Sequence, residues 1–205
     1  MPTIASIKGS VFVSATEAIH KLLAEGSLSR QELTRWLKPE DFPLLDEEVH
    51  VSEWYDIRAF ARMSELLRDV EGGGKNEYLR QQGRKTAQRL LEAGLYQQME
   101  YLHNTQVEKA IDRKARFEAF GRDLRLLNTL SASILNFSKW VSKPDPDREG
   151  RHMIVAEEAR DFPEVMCWRT DGFFNEMARV HGEPDLWRWD RPSPDRVVYW
   201  MVRGL

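Results

Sequence analysis

The chain offers one cysteine and five histidines as reactive or borderline metal-ligating side chains. His20, His50, His103, His152 and His181 fall at no metal-ligand spacing, and no HExxH occurs. His103 is the notable one, because it follows Tyr96 and Met99 on a segment whose helical phase turns it inward. An imidazole there either hydrogen-bonds in the core or serves as an axial haem ligand. Cys167 precedes Trp168 near the start of a C-terminal helix, where a helix dipole would lower a thiol pKa. No base and acid complete a nucleophilic site around it, which favours a buried structural thiol.

Gly72-Gly73-Gly74-Lys75 invites a phosphate-loop reading and fails it. Asn76 stands where Ser or Thr is needed, the glycine spacing is wrong, and a helix precedes the loop instead of a strand. Arg80, Arg84, Lys85 and Arg89 form an acid-free basic run on a helix, able to hold a phosphate or an acidic partner. The competing reading is a solvated face paired to Glu77 and Glu92. Trp168, Trp187, Trp189 and Trp200 would line an apolar pocket or, for Trp187 and Trp189, expose an aromatic patch to a partner. No paired carboxylates, triad or metal cluster can be placed, so the chain is not read as an enzyme.

These residues must be positioned by a single 205-residue domain, long enough for a sizeable core. A hydrophobic fraction of 41% with 31% charged residues excludes a disordered chain, and a net charge of −3 excludes a globally basic nucleic-acid binder. A lone cysteine rules out an intrachain disulfide and fits a reducing compartment. With no apolar run able to span a bilayer and no secretory layout at the N-terminus, the expected location is the cytoplasm.

The fold class predicted is α+β, a mainly helical lobe over 1–130 followed by an antiparallel sheet with a crossing helix over 131–205. Ile7 to Val13 reads as strand, with Ser14-x-x-Glu17 as a capping box for a helix that stops at Gly26. Ser29 caps the next short segment, and residues 39–53 are a Pro- and acid-rich connection. Ile57, Phe60, Met63, Leu67 and Val70 then repeat at helical spacing up to the glycine triplet. Leu79, Gly83, Ala87 and Leu90 form the stripe of the following helix, its small residues inviting close approach by another backbone. Gly94 breaks that helix, and Phe117, Phe120, Leu124 and Leu127 mark a later one. Strand character begins near Ser133, with Arg151 to Glu157 as the antiparallel partner. Most of Val165, Met166, Phe173, Met177 and Val180 share one face of the last helix, which Gly182 and Pro184 end. Leu186 to Arg191 and Arg196 to Val202 form a hairpin, its second strand apolar on both faces and therefore central.

Three stretches carry a resemblance. Ile7 to Val13 (IKGSVFV) resembles the start of haem nitric-oxide/oxygen-binding (H-NOX) domains, and Gly83-Arg84 in YLRQQGRKTAQ looks like the Gly-Arg of their central helix. Cys167, Gly172-Phe173 and Gly182, followed by two strands, are similar to the 4-vinyl reductase small-molecule-binding domain. The overall layout, with Trp54-Tyr55 included, is similar to an uncharacterised bacterial family of stand-alone proteins. The resemblance implies a fold used for ligand sensing and dimerisation. It does not carry haem over: the propionate-gripping Tyr-x-Ser-x-Arg triad has no counterpart around Ser133 to Trp140, and RVVYWMV lacks the second cysteine of the 4-vinyl reductase domains.

The expectation is a non-enzymatic sensory or regulatory domain that binds an apolar or aromatic small molecule between the lobes and self-associates. Trp54, Tyr55, Tyr78, Tyr96, Trp168 and Phe173 would be its walls, with His103 as polar anchor and Cys167 beside them. Arg80, Arg84, Lys85, Arg89, Trp187 and Trp189 would meet a partner. The alternatives are a protein-interaction scaffold with a fully packed core and, behind it, a haem gas sensor. No cofactor, nucleic acid or membrane span is expected.

Overall fold

The computed structural model describes residues 4–93, 113–180 and 182–205, so the expected break at Gly94 lies outside it, as do Tyr96 and His103. Strands β1 (Ser6–Lys8) and β2 (Trp54–Asp56) form a two-stranded antiparallel sheet with Ile7 opposite Tyr55. The strand expected up to Val13 is cut short, because helix α1 (Gly9–Ala24) follows at once. Ser14 therefore sits inside the helix, its hydroxyl donating to the Val11 carbonyl, and is no cap. The free amides of the first turn are met by the loop before β2. Gly9 N–H donates to the Glu53 carbonyl and Ser10 N–H to the Val51 carbonyl. Only glycine permits this approach, since a Cβ at position 9 would lie 2.0 Å from the His50 carbonyl oxygen.

A short helix α2 (Pro43–Asp46) interrupts the acid-rich connection. Just before it, buried Asp41 accepts from both Arg62 and the Lys38 N–H. Helix α3 (Ile57–Val70) is capped by the Asp56 carboxylate, which accepts the Arg58 N–H, and buries Ile57, Phe60, Met63 and Leu67 as their spacing predicts. Helix α4 (Asn76–Glu92) buries Leu79, Gly83 and Ala87, again on the predicted stripe.

Helix α5 (Arg113–Ile134) puts Phe120, Leu124 and Leu127 in the core. It ends at the boundary expected near Ser133, but β3 (Lys139–Pro144) starts only after a turn. The helix ends where the N-terminal strand intervenes. Ser6 N–H donates to the Asn136 carboxamide, and Asn136 N–H donates to the Ser6 carbonyl. Local strand propensity around Ile134 and Leu135 thus yields to a long-range contact.

The main sheet adds β4 (His152–Glu157), β5 (Trp187–Ser193) and β6 (Arg196–Met201) in the order β3-β4-β6-β5, antiparallel throughout. With the six described helices this gives the α+β class. β6 is central, as its apolar pattern predicts, with Val197, Tyr199 and Met201 fully buried. Its other face is half-covered at Val198 and Trp200.

Helix α6 (Glu164–Val180) lies between this sheet and α4. The single apolar face predicted for it is corrected: Arg169, Asp171, Asn175 and Glu176 are buried, while Phe173 and Val180 are only half so. A helix covered on two sides buries most of its circumference, so its polar residues must find partners. Asn175 does so on β5, accepting the Trp187 N–H and donating to the Trp187 carbonyl.

The α4–α6 crossing is set by two reciprocal glycines. A Cβ at Gly83 would lie 1.9 Å from the Arg169 carbonyl oxygen, and one at Gly172 would lie 2.0 Å from the Arg80 carbonyl oxygen. Gly83→Ala and Gly172→Ala should each destabilise the fold by about 2–4 kcal/mol, since the clash is backbone on both sides. Gly26→Ala, where nothing lies within 4 Å and only a φ of +69° is at stake, should cost about 1 kcal/mol. Urea denaturation of the three variants checks the ranking.

Candidate functional site

Where α1, α4, α5, α6 and β3 meet, the helices hold their walls apart around a cavity of about 430 Å³. Leu90, Leu127, Ile134, Leu135 and Met166 give it aliphatic walls, and Trp140, Phe173 and Phe174 aromatic ones. Ser10, Ser14, Thr86, Ser131, Ser133 and Thr170 supply hydroxyls, and Arg89 and Arg169 the cations. Three of those hydroxyls donate back into their own helices: Ser14 to the Val11 carbonyl, Thr86 to Gln82 and Ser131 to Leu127. They turn acceptor lone pairs to whatever enters.

Arg169 is the unusual member. It is 8% exposed, and its guanidinium lies 5.1 Å from the Phe60 ring centre, a cation–π contact from α3. Burial pulls its pKa down to about 10; neighbouring Arg89 lowers it further and Tyr78 opposes the shift. It remains charged at neutral pH. Two half-buried arginines nearby are paired. Arg80 meets Asp171 at 2.5 Å, and Arg62 meets Asp41 at 2.5 Å.

The expected ligand walls scatter. Phe173 does line the cavity. Trp54 is 43% exposed under the Lys8 ammonium, 4.3 Å from the ring centre. Tyr55 stacks on Phe12, and its hydroxyl accepts the His50 N–H. Tyr78 donates to Glu71 at the start of α4, and burial raises its phenol above the ordinary range. Trp168 packs edge-on against Trp189 at 5.2 Å, away from the cavity lining.

Cys167 is also elsewhere, fully buried toward the sheet with the Arg191 guanidinium 3.8 Å from its sulfur. The dipole-lowered thiol considered from sequence is corrected: burial pushes it up to about 11, against the smaller effect of Arg191.

The expected partner face breaks up as well. Arg80 is committed to Asp171 and Glu77, and Arg84 lies 3.1 Å from Glu77. Lys85 is exposed, and Arg89 belongs to the cavity. Trp187 is 1% exposed, packed on Phe174 and Phe120, because the inner face of β5 is its face; it offers no surface. Trp189 is half-buried.

Sequence reading missed Arg169, Thr170, Met166 and Trp140. The available signal was positional: Arg169 falls between Met166 and Phe173 at helical spacing, a charge set into an apolar face.

Haem can be tested against the donors present. Among the described lining residues there is no histidine, cysteine or tyrosine to hold the iron. The buried imidazole of the described chain, His152, is stacked on Phe117 at 3.9 Å with Nε2 3.1 Å from the Phe117 carbonyl, and burial lowers its pKa. The axial candidate His103 lies outside the described residues, and no group of three or more potential metal ligands occurs among those described.

The Cys167 thiol carries a pH signature. Its folded pKa of about 11 lies above the ordinary 9.0, so the stability it contributes is complete below pH 9 and lost as the pH climbs toward 11. Thiol labelling with a chromogenic disulfide at pH 8 should be slow in the native protein and immediate in urea. Cys167→Ala should flatten the loss of stability between pH 9 and 11; rapid native labelling would contradict the burial.

The chain matches no protein-family profile and no curated protein. It is similar to a solved structure, that of a mutant T. tengcongensis H-NOX, with a TM-score of 0.49 and 11% identity over 97% of this chain and 100% of that one. A likeness of that depth fixes neither a family nor a ligand. None of the described helices is long and apolar enough to cross a membrane.

Proposed function

We propose that the chain is a non-enzymatic ligand-binding domain of a sensory or regulatory kind, acting in the cytoplasm. It takes a small, largely apolar or aromatic molecule into the cavity between the helices and the sheet. The cavity itself carries this reading. At about 430 Å³ it falls in the range of small-molecule sites, and its lining is mostly apolar with a few converging polar groups. A scaffold with a fully packed core is the weaker reading, because a close-packed interior leaves few voids larger than a water molecule. Self-association is assigned to the outer face of the sheet and not to Trp187, since Val141 of β3 is 45% exposed there.

Native mass spectrometry of protein purified without added ligand should show a retained small-molecule mass that denaturation releases. Ser131→Trp, which puts an indole into the cavity from α5, should abolish that mass while leaving the far-ultraviolet circular dichroism unchanged. A wild-type chain that neither retains a mass nor binds an amphiphilic fluorophore such as 1-anilinonaphthalene-8-sulfonate would return the core to the scaffold reading.

A further inference from the structure

The cavity has a charge that nothing described answers. Among the described residues, its lining contains Arg89 and Arg169 and no aspartate or glutamate. Arg169 is more than nine-tenths buried, and no described carboxylate lies within ion-pairing distance of it; its close partner is the Phe60 ring. Two half-buried arginines of the same fold are paired with carboxylates. Arg80, one turn before Gly83, has Asp171, and Arg62 has Asp41 in bidentate contact. A buried, unpaired guanidinium is costly to keep, and such costs are borne where an ion completes the pair.

Taking as given that the cavity binds a small molecule, we propose that its ligand is an amphiphilic carboxylate, with the anionic head on Arg169 and an apolar body among Trp140, Phe173 and Leu90. Planar guanidinium donors match a carboxylate in the bidentate manner that an ammonium does not. Arg89, exposed on α4, adds positive potential at the same cavity and favours an anion over a neutral molecule. Three of the six hydroxyls do not compete for the head group. Those of Ser14, Thr86 and Ser131 spend their protons on helix carbonyls, so they suit a donor on the ligand body and leave the carboxylate to the arginine.

Decanoate and 1-decanol, which share one hydrocarbon chain and differ in the head, test this by isothermal titration calorimetry on the full chain. Wild type should bind decanoate at least about tenfold more tightly than 1-decanol. Arg169→Met should bring decanoate down to the affinity of 1-decanol and leave 1-decanol within about twofold of wild type. Arg169→Lys should recover part of the preference. Equal wild-type affinities would overturn the carboxylate anchor and leave the cavity reading standing. A preference that survives Arg169→Met would overturn the role of Arg169. Binding of neither probe would overturn the proposed ligand class, with the native mass and fluorophore measurements deciding the cavity reading separately. Should Arg169→Met fail to fold, the wild-type ratio and the Arg169→Lys variant still decide the matter.

Discussion

Two glycines facing two carbonyls, Gly83 against Arg169 and Gly172 against Arg80, hold the molecule's centre in register. Each helix gives up a side chain where the other presents backbone, so α4 and α6 approach more closely than ordinary side chains would permit. The polar pairs that follow depend on that approach. Arg80 reaches Asp171, and Gln88 reaches Glu176, only because the helices are this near. Such contacts to the buried carboxylates Asp171 and Glu176 add little net stability, but breaking one strands a charge, so they reject any other packing of the two helices.

The seam also explains how an open cavity survives in an otherwise packed core. An apolar void collapses when its walls are free to slide inward. Here α6 cannot slide toward the cavity without breaking the glycine contacts on α4 or the Asn175 clamp on β5. α1 is fixed from its first residues by the backbone bonds to the loop before β2, and α5 by the exchange between Ser6 and Asn136. Each wall is anchored by a contact outside the cavity. The space is a consequence of how the elements are pinned, and the large aromatic side chains lie around its edge.

The legible parts of the sequence were those decided locally. The periods of α3 and α4, the central position of β6 and the close-approach role of Gly83 all follow from spacing within one segment. The starts of α1 and β3 were misplaced because distant backbone settles both. No capping residue announces that Glu53 and Val51 will meet the first amides of a helix some forty positions earlier. The aromatic-rich motifs misled for a related reason. Trp54, Tyr55 and Trp168 look like ligand walls by composition, yet each packs on its own neighbours and none lines the cavity. Composition marks what could bind; only topology decides which faces converge.

Arg169 shows where the two kinds of information meet. On a helix wheel it is an error, a charge at the centre of the apolar arc running from Met166 to Phe173. A solvent-facing reading would be natural for a helix covered on one side only. Because α6 is covered on both sides, there is no solvent for the guanidinium to reach, and its length carries it toward Phe60 beside the cavity instead. The same two-sided burial forces Asp171, Asn175 and Glu176 to be paired, and each of them is. Pairing is the rule for polar groups on this helix, and Arg169 is the position at which the described chain stops supplying the partner. A residue that breaks a local rule inside a framework that otherwise obeys it is where function is to be sought.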